Sequence, residues 1–169
     1  MSPEKLATRL LTWRSDVRSA DVAKVRDLVT RTGVFSADEI DIAAELVEDR
    51  LNDGASSGYH FVIAERAGKI AGYACFGPIA GTGSAFDLYW IAVDSDCQGD
   101  GVGRAVLAKA EVAMRAMGAS RHYAETSSTD AYAPTRAFYL STGFREVARI
   151  ADFYRPGDGK VIYERVLVF

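Results

Sequence analysis

Three glycines crowd into the stretch Gln98-Gly99-Asp100-Gly101-Val102-Gly103-Arg104, between an apolar run and a helical pattern. Ala85 to Val93, just before it, is apolar on both faces, as expected of a central strand covered from both sides. Val102, Ala105, Val106, Ala108, Val112 and Ala113, just after it, recur at helical spacing until Gly118. The unit calls for a buried sheet strand that turns tightly into a helix. Glycine lets backbone approach a ligand with no Cβ in the way. The first amides of a helix lack intrahelical partners, and the dipole there favours negative charge. Together they make a cradle for a phosphate-type anion. The plainer role, a tight strand-to-helix turn, accounts for one or two of the glycines.

The 169 residues suit one domain with one continuous core, and 49% hydrophobic with 25% charged residues is the globular norm. A net charge of -3 provides no basic face for nucleic acid. Cys75 and Cys97 are too few for a disulfide framework, and His60 and His122 are isolated, so no metal is expected. The start, Met1 to Lys5 and then Leu6 to Leu11 interrupted by Thr8 and Arg9, is no signal-peptide core. No run reaches membrane-spanning length, and a cytoplasmic location is the expectation.

Periodicity orders the rest. Leu11, Trp13 and Val17 hint at a first strand, and Ser19 and Asp21 are candidate caps for a helix carrying Val22, Val25, Leu28 and Val29 up to Gly33. Ser36 with Glu39 forms a capping box for a second helix, which Asn52-Asp53-Gly54 stops. Tyr59 to Glu65 and Ile70 to Phe76 read as strands joined at Ala67-Gly68-Lys69. His122 to Thr126 is a short strand, and Pro134 opens a helix ending at Gly143. Phe144 to Ile150 and Val161 to Val168 finish as strands around 155–159. The order β-α-α-β-β-β-α-β-α-β-β predicts an α/β (α+β) domain, with a central mixed sheet and helices on both faces.

Two phosphate-binding motifs fit the glycine loop poorly. A P-loop needs Lys-Ser or Lys-Thr where Gly103-Arg104-Ala105 stands. A dinucleotide fingerprint would put its third glycine at Arg104 and start at the strand end, whereas Asp94 to Gln98 intervene. Glu125 could imitate that fold's ribose-binding acid, so an NAD-dependent oxidoreductase stays as a remote alternative.

Gln98 to Gly103 matches each fixed position of the Gln/Arg-x-x-Gly-x-Gly/Ala loop of the GNAT superfamily of acetyl-CoA-dependent N-acetyltransferases. Asp87 to Val93 resembles the strand before that loop. Pro134 to Phe144, ending Phe138-Tyr139-Leu140-Ser141-Thr142-Gly143-Phe144, resembles the family's second motif. The resemblance runs from about Trp13 to Leu167 and implies the GNAT fold, a mostly antiparallel sheet of about seven strands.

It also implies a chemistry. A primary amine (small amine, amino acid or protein N-terminus) would attack the thioester of acetyl-CoA directly. Backbone groups of Gln98, Gly99, Asp100, Gly101, Val102, Gly103 and Arg104 would hold the pyrophosphate, and those of Ile91, Ala92 and Val93 the pantetheine arm. Tyr139 matches the family tyrosine that protonates the leaving thiolate; a phenol near pKa 10 giving a proton to a thiolate near 8.5 goes uphill by roughly 2 kcal/mol. Packing alone would also account for an aromatic there. Asp87, eleven residues before Gln98, takes the place where some members carry a glutamate base. Its other readings are a strand-start aspartate facing solvent or paired with arginine. Tyr132 stands where an asparagine often contacts the cofactor arm, and Arg136 is a candidate for a CoA phosphate or a solvated helix residue. Gly33-Val34-Phe35 and Asp152-Phe153-Tyr154-Arg155 occupy positions that face the acceptor in this family, and Asp152 could attract an ammonium. Cys97 has no His partner and is incidental. The rival reading is a non-catalytic acetyl-CoA-binding module that regulates a partner. Sheet edges near the C-terminus offer a route to a homodimer.

Overall fold

The computed structural model describes residues 10–167. Strand β1 (Thr12–Arg14) leads to helices α1 (Ser19–Thr32) and α2 (Ala37–Asp53), then strands β2 (His60–Arg66), β3 (Lys69–Pro78) and β4 (Ala85–Val93). Helix α3 (Val102–Ala116), strand β5 (Arg121–Ser127), helix α4 (Ala133–Ser141) and strands β6 (Arg145–Arg155) and β7 (Asp158–Val166) complete the order that periodicity predicts. The seven strands form one sheet in the order β1-β2-β3-β4-β5-β7-β6. Neighbours are antiparallel except β4 and β5, which run parallel. Among the described residues, no helix is long and apolar enough to cross a membrane.

Alternation along the strands divides the core in two. Phe86 and Leu88 of β4, Ala124 of β5 and Val161 and Tyr163 of β7 pack with Val106, Ala110 and Met114 of α3 and Tyr139 of α4. Phe61, Ile63, Tyr73 and Cys75 of β2 and β3 pack on the other face with Val25, Leu28 and Val29 of α1 and Ala43 and Val47 of α2. Each fully buried Val, Leu, Ile or Phe contributes about 1.5–3 kcal/mol, so both layers are strongly held. The second layer covers β2 to β4 but not the β5–β7–β6 half of its face, where Glu125 is exposed and Tyr123 and Ile162 are half-buried.

Several local readings change. The first strand is shorter than Leu11 to Val17, and Leu6 to Arg9 lie outside the described residues, as does Val168. Ser19 does not cap α1. The cap is Arg18, whose backbone N–H donates to the carboxylate of Asp21 at 2.7 Å, while Arg14 donates to the same carboxylate at 2.7 and 2.8 Å. Asp21 is wholly buried, and a buried carboxylate needs this cation. The Ser36–Glu39 capping box forms as predicted, with Glu39 accepting from the Ser36 amide at 2.7 Å.

The last two strands are longer than alternation indicates, and only Pro156 and Gly157 separate them. The register steps from Ile150↔Lys160 to Arg155↔Asp158, so Ala151 to Tyr154 bulge out of β6, with Asp152 at a φ of 52°. An extra stretch of this kind hides a strand from a period-two reading.

Candidate functional site

The glycine loop follows β4 as predicted, and two distant arginines fix it. Arg31 of α1 forms an ion pair with Asp94, whose carboxylate also accepts from the Asp96 amide at 2.9 Å. Burial alone would raise the Asp94 pKa, but that amide and Arg31 hold it below the usual carboxylate range. Arg66 at the end of β2 donates to Asp100 at 2.9 Å. Gly99 and Gly101 have φ of 83° and 76°, a left-handed conformation that side chains with a Cβ rarely adopt. Gly101 is the N-cap of α3 and carries no side chain to accept from the first amides of the helix. On β3, a Cβ at Gly72 would lie 3.1 Å from both the Ala92 carbonyl and Val102 Cγ1, so this glycine lets the first turn of α3 seat against the sheet.

The parallel pairing of β4 with β5 covers only Ala85↔Arg121, Phe86↔His122 and Asp87↔Tyr123. Beyond it β4 stays on β3 as far as Val93↔Gly72, while β5 stays on β7 as far as Ser127↔Lys160. The two strands therefore splay, and among the described residues Leu88 to Val93 have no strand partner on the β5 side. Backbone groups left open in this way can pair with an extended, amide-bearing chain. A bulge assists the splay. Cys75 pairs with Trp90 and Phe76 with Leu88, leaving Tyr89 as an extra residue. It reverses the alternation: Phe86 and Leu88 face α3, whereas Trp90 and Ala92 face α1 and α2.

Asp87 and Tyr139 lie on opposite sides of this opening. Asp87 shares the open half-face with Tyr123 and Glu125, since partners in register project alike. Burial raises its pKa, the Glu125 charge raises it further, and Lys160 partly opposes them. Tyr139 is buried on the α3–α4 side, with Phe138, Phe144 and Tyr163 rings 5.0 to 5.7 Å away. Burial, then the neighbouring Tyr163, pushes its phenol well above the ordinary range.

Other candidates have partners within the protein. Gln98 Nε2 donates to the Val93 carbonyl at 3.5 Å, at the base of the loop. The Arg104 guanidinium reaches across to Ser141 of α4, at 3.2 Å from its carbonyl and 3.0 Å from its hydroxyl. Arg136 donates to the Ser127 and Thr129 carbonyls, both at 2.8 Å, and so ties the end of β5 to α4. The Tyr132 hydroxyl donates to Glu39 at 2.5 Å, and burial followed by that carboxylate pushes its pKa up. Phe35 lies 4.9 Å from Trp90 and 6.2 Å from Tyr132, ring centre to ring centre, so the α1–α2 turn closes one end of the open face. Asp152 does not point at that face freely, because it accepts from the Gly157 amide at 2.7 Å.

Residues 57–146 match the family model described as an acetyltransferase (GNAT) domain. A GNAT-family protein from Desulfovibrio desulfuricans is 43% identical, with 94% of this chain and 99% of that one superposing at a TM-score of 0.89. The chain belongs to the GNAT acetyltransferase family. More distant GNAT structures share the fold. The ribosomal-protein-S18-alanine N-acetyltransferase of Escherichia coli is 23% identical, with a TM-score of 0.73 over 94% of this chain and 95% of that one. A Salmonella typhimurium structure with acetyl-CoA as its cofactor is 21% identical, with a TM-score of 0.70 over the same shares. No protein with a curated description matches the chain.

Sequence reasoning missed two features of the opening between β4 and β5. The Tyr89 bulge has no local signal, because Leu88-Tyr89-Trp90 reads as uninterrupted strand. Glu125 drew notice only as an imitation of a ribose-binding acid, and its link to Lys160 joins residues 35 apart in the chain (160 minus 125).

Proposed function

We propose that this GNAT acetyltransferase moves the acetyl group of acetyl-CoA directly to a primary amine: a small amine, an amino acid or a protein N-terminus. The observation that carries the reading is the splay of β4 from β5, with loop amides at one end and Asp87 and Tyr139 on its two faces. The pantetheine arm would add to the open edge of β4 through the backbone of Ile91, Ala92 and Val93. The pyrophosphate would rest on the amides between Gly99 and Arg104, where the α3 dipole favours negative charge.

The acceptor would enter from the open half-face as an ammonium. Asp87 takes its proton, since burial and Glu125 make this carboxylate a stronger base than a solvated one. The freed amine attacks the acetyl carbonyl, and the resulting oxyanion needs a donor, a role that a β4 amide beside the bulge would fill. As the C–S bond breaks, Tyr139 gives its proton to the departing thiolate, and the acylated nitrogen sheds its second proton to water, from which the phenolate is reprotonated. Its raised pKa makes it a weaker acid, but a thiolate formed in the same desolvated slot is raised by the same physics. The transfer depends on the difference between the two pKa values.

The test is an acetylation screen over amines, amino acids and N-terminal peptides, read by CoA release, with Tyr139→Phe in parallel. The substitution should lower kcat by about 100-fold or more while CoA affinity persists. Absence of turnover across the panel, with CoA still bound, would instead favour a regulatory acetyl-CoA-binding module. If NAD and not CoA raises the melting temperature, the acetyltransfer reading fails.

A further inference from the structure

The open half-face holds two carboxylates, Asp87 and Glu125, whose fields reach each other, with Lys160 the cation beside them. Lys160 Nζ lies 2.6 Å from Glu125 Oε2. The lysine side chain is only 15% exposed, whereas that of Glu125 is 46% exposed. The bulge of β6 clamps the lysine from above, placing the Phe153 ring 4.0 Å and the Tyr154 ring 6.0 Å from Nζ. The clamp closes because residue 159 is glycine: a Cβ there would stand 2.7 Å from the Ile150 carbonyl. An ion pair gripped this tightly is a built feature, not a pair of loose surface side chains.

We propose that Glu125 is the carboxylate that receives the acceptor ammonium, and that Lys160, clamped by the β6 bulge, is the positioning residue that holds it there. The inference rests on the acetyltransfer reading given above. Charge is the argument. Asp87 and Glu125 face Lys160, while Glu39 and Asp158 act with Glu125 on the adjoining Tyr154, so the face carries an excess of negative charge that an arriving ammonium offsets. When the ammonium passes its proton to Asp87, the face holds neutral Asp87 and the Glu125–Lys160 pair, so the balance persists through the step. Lys160 also distinguishes the two carboxylates, because it contacts Glu125 directly at 2.6 Å and reaches Asp87 only through its field, which leaves Asp87 to take the proton. The other titratable groups facing Asp87 are Tyr89 on its own strand and Tyr123 on β5, and Tyr59 lies beyond Tyr89. Tyr123 is committed to Glu164 at 3.0 Å.

The experiment compares Glu125→Gln, Lys160→Met and Lys160→Arg with the unsubstituted protein, using an amine that the screen finds to be acetylated. Glu125→Gln should raise the KM for the amine by about tenfold or more, the size of one lost charged hydrogen bond, and leave the Kd for CoA alone. Without the like charge beside Asp87, the acid limb of kcat/KM should move to lower pH. Lys160→Met should move it to higher pH, and Lys160→Arg should restore it. An unchanged amine KM and an unchanged limb in the near-isosteric Glu125→Gln would overturn this proposal while leaving acetyl transfer intact. An unsubstituted protein that binds CoA but acetylates no amine would overturn both.

Discussion

Replacing Gly101 by alanine isolates the backbone geometry of the loop. Gly101 has φ 76° and ψ 6°, and an alanine held there costs about 1–2 kcal/mol of steric strain. Alanine also narrows the unfolded ensemble and returns about 0.4–1 kcal/mol. The net destabilisation is therefore about 1 kcal/mol, or a fall of about 2–4 °C in Tm for a chain of this size. Where the free loop instead relaxes by turning the residue to negative φ, the Tm loss disappears and the Val102 and Gly103 amides are re-aimed. Binding must then restore the strained conformer, weakening CoA binding by about 5- to 30-fold at 1.4 kcal/mol per decade. Titration calorimetry with CoA and a thermal melt read the two effects separately. Gly81→Ala is the control. Gly81 has a φ of 78° and nothing within 4 Å of an added Cβ, and it lies before the start of β4, about 27 Å or more from the loop. It should show the same loss in Tm and no loss in CoA affinity. If Gly101→Ala melts like the parent, so that the strain has been relieved by moving the loop, and still binds CoA like the parent, the loop amides are not the donor cradle.

Asp87→Asn should lower kcat/KM by about 100-fold or more and abolish the acid limb of the pH profile. In the parent that limb should lie above the ordinary carboxylate range, because burial and then Glu125 raise the Asp87 pKa; a limb near pH 4 would contradict the assignment. Arg14→Met strands the buried Asp21 and should cost about 3–5 kcal/mol in a denaturant titration. Burial alone would raise the Asp21 pKa, but hydrogen bonds from Arg14 and the Arg18 amide hold it below its unfolded value. Its stabilisation is thus present above about pH 4 and lost as pH falls through the lower folded value. Stability of the parent should fall more steeply below about pH 4 than that of Arg14→Met, and parallel curves would refute the pairing.

Local chemistry made much of this protein legible from its residues. The Ser36–Glu39 box, the helix end at Gly33 and the turn at Ala67-Gly68 each depend on residues within four positions, so their signals survive without a fold. The central place of β4 was legible for a related reason: apolar residues on both faces of a strand need cover on both sides. The glycine loop belongs here too, since a left-handed φ at Gly99 and Gly101 is a demand on residue type. Less visible was β6, where the bulge of Ala151 to Tyr154 breaks the period and places aromatics on a fully exposed strand.

What only the tertiary structure decided is how that loop is held and what surrounds it. The arginines that fix it come from α1 and β2, and Arg66 lies 34 residues before Asp100. The splay exists because β5 follows β7 and not β4 beyond Tyr123, a competition between pairings that no single segment encodes. Tyr132 meets Glu39 across 93 residues, and Lys160 meets Glu125 across the pairing of β5 with β7. Residue type and short-range periodicity determined the elements and the glycine loop between β4 and α3. The opening between β4 and β5, and the charges across it, follow from contacts between residues far apart in the chain, which form only when the whole sheet does.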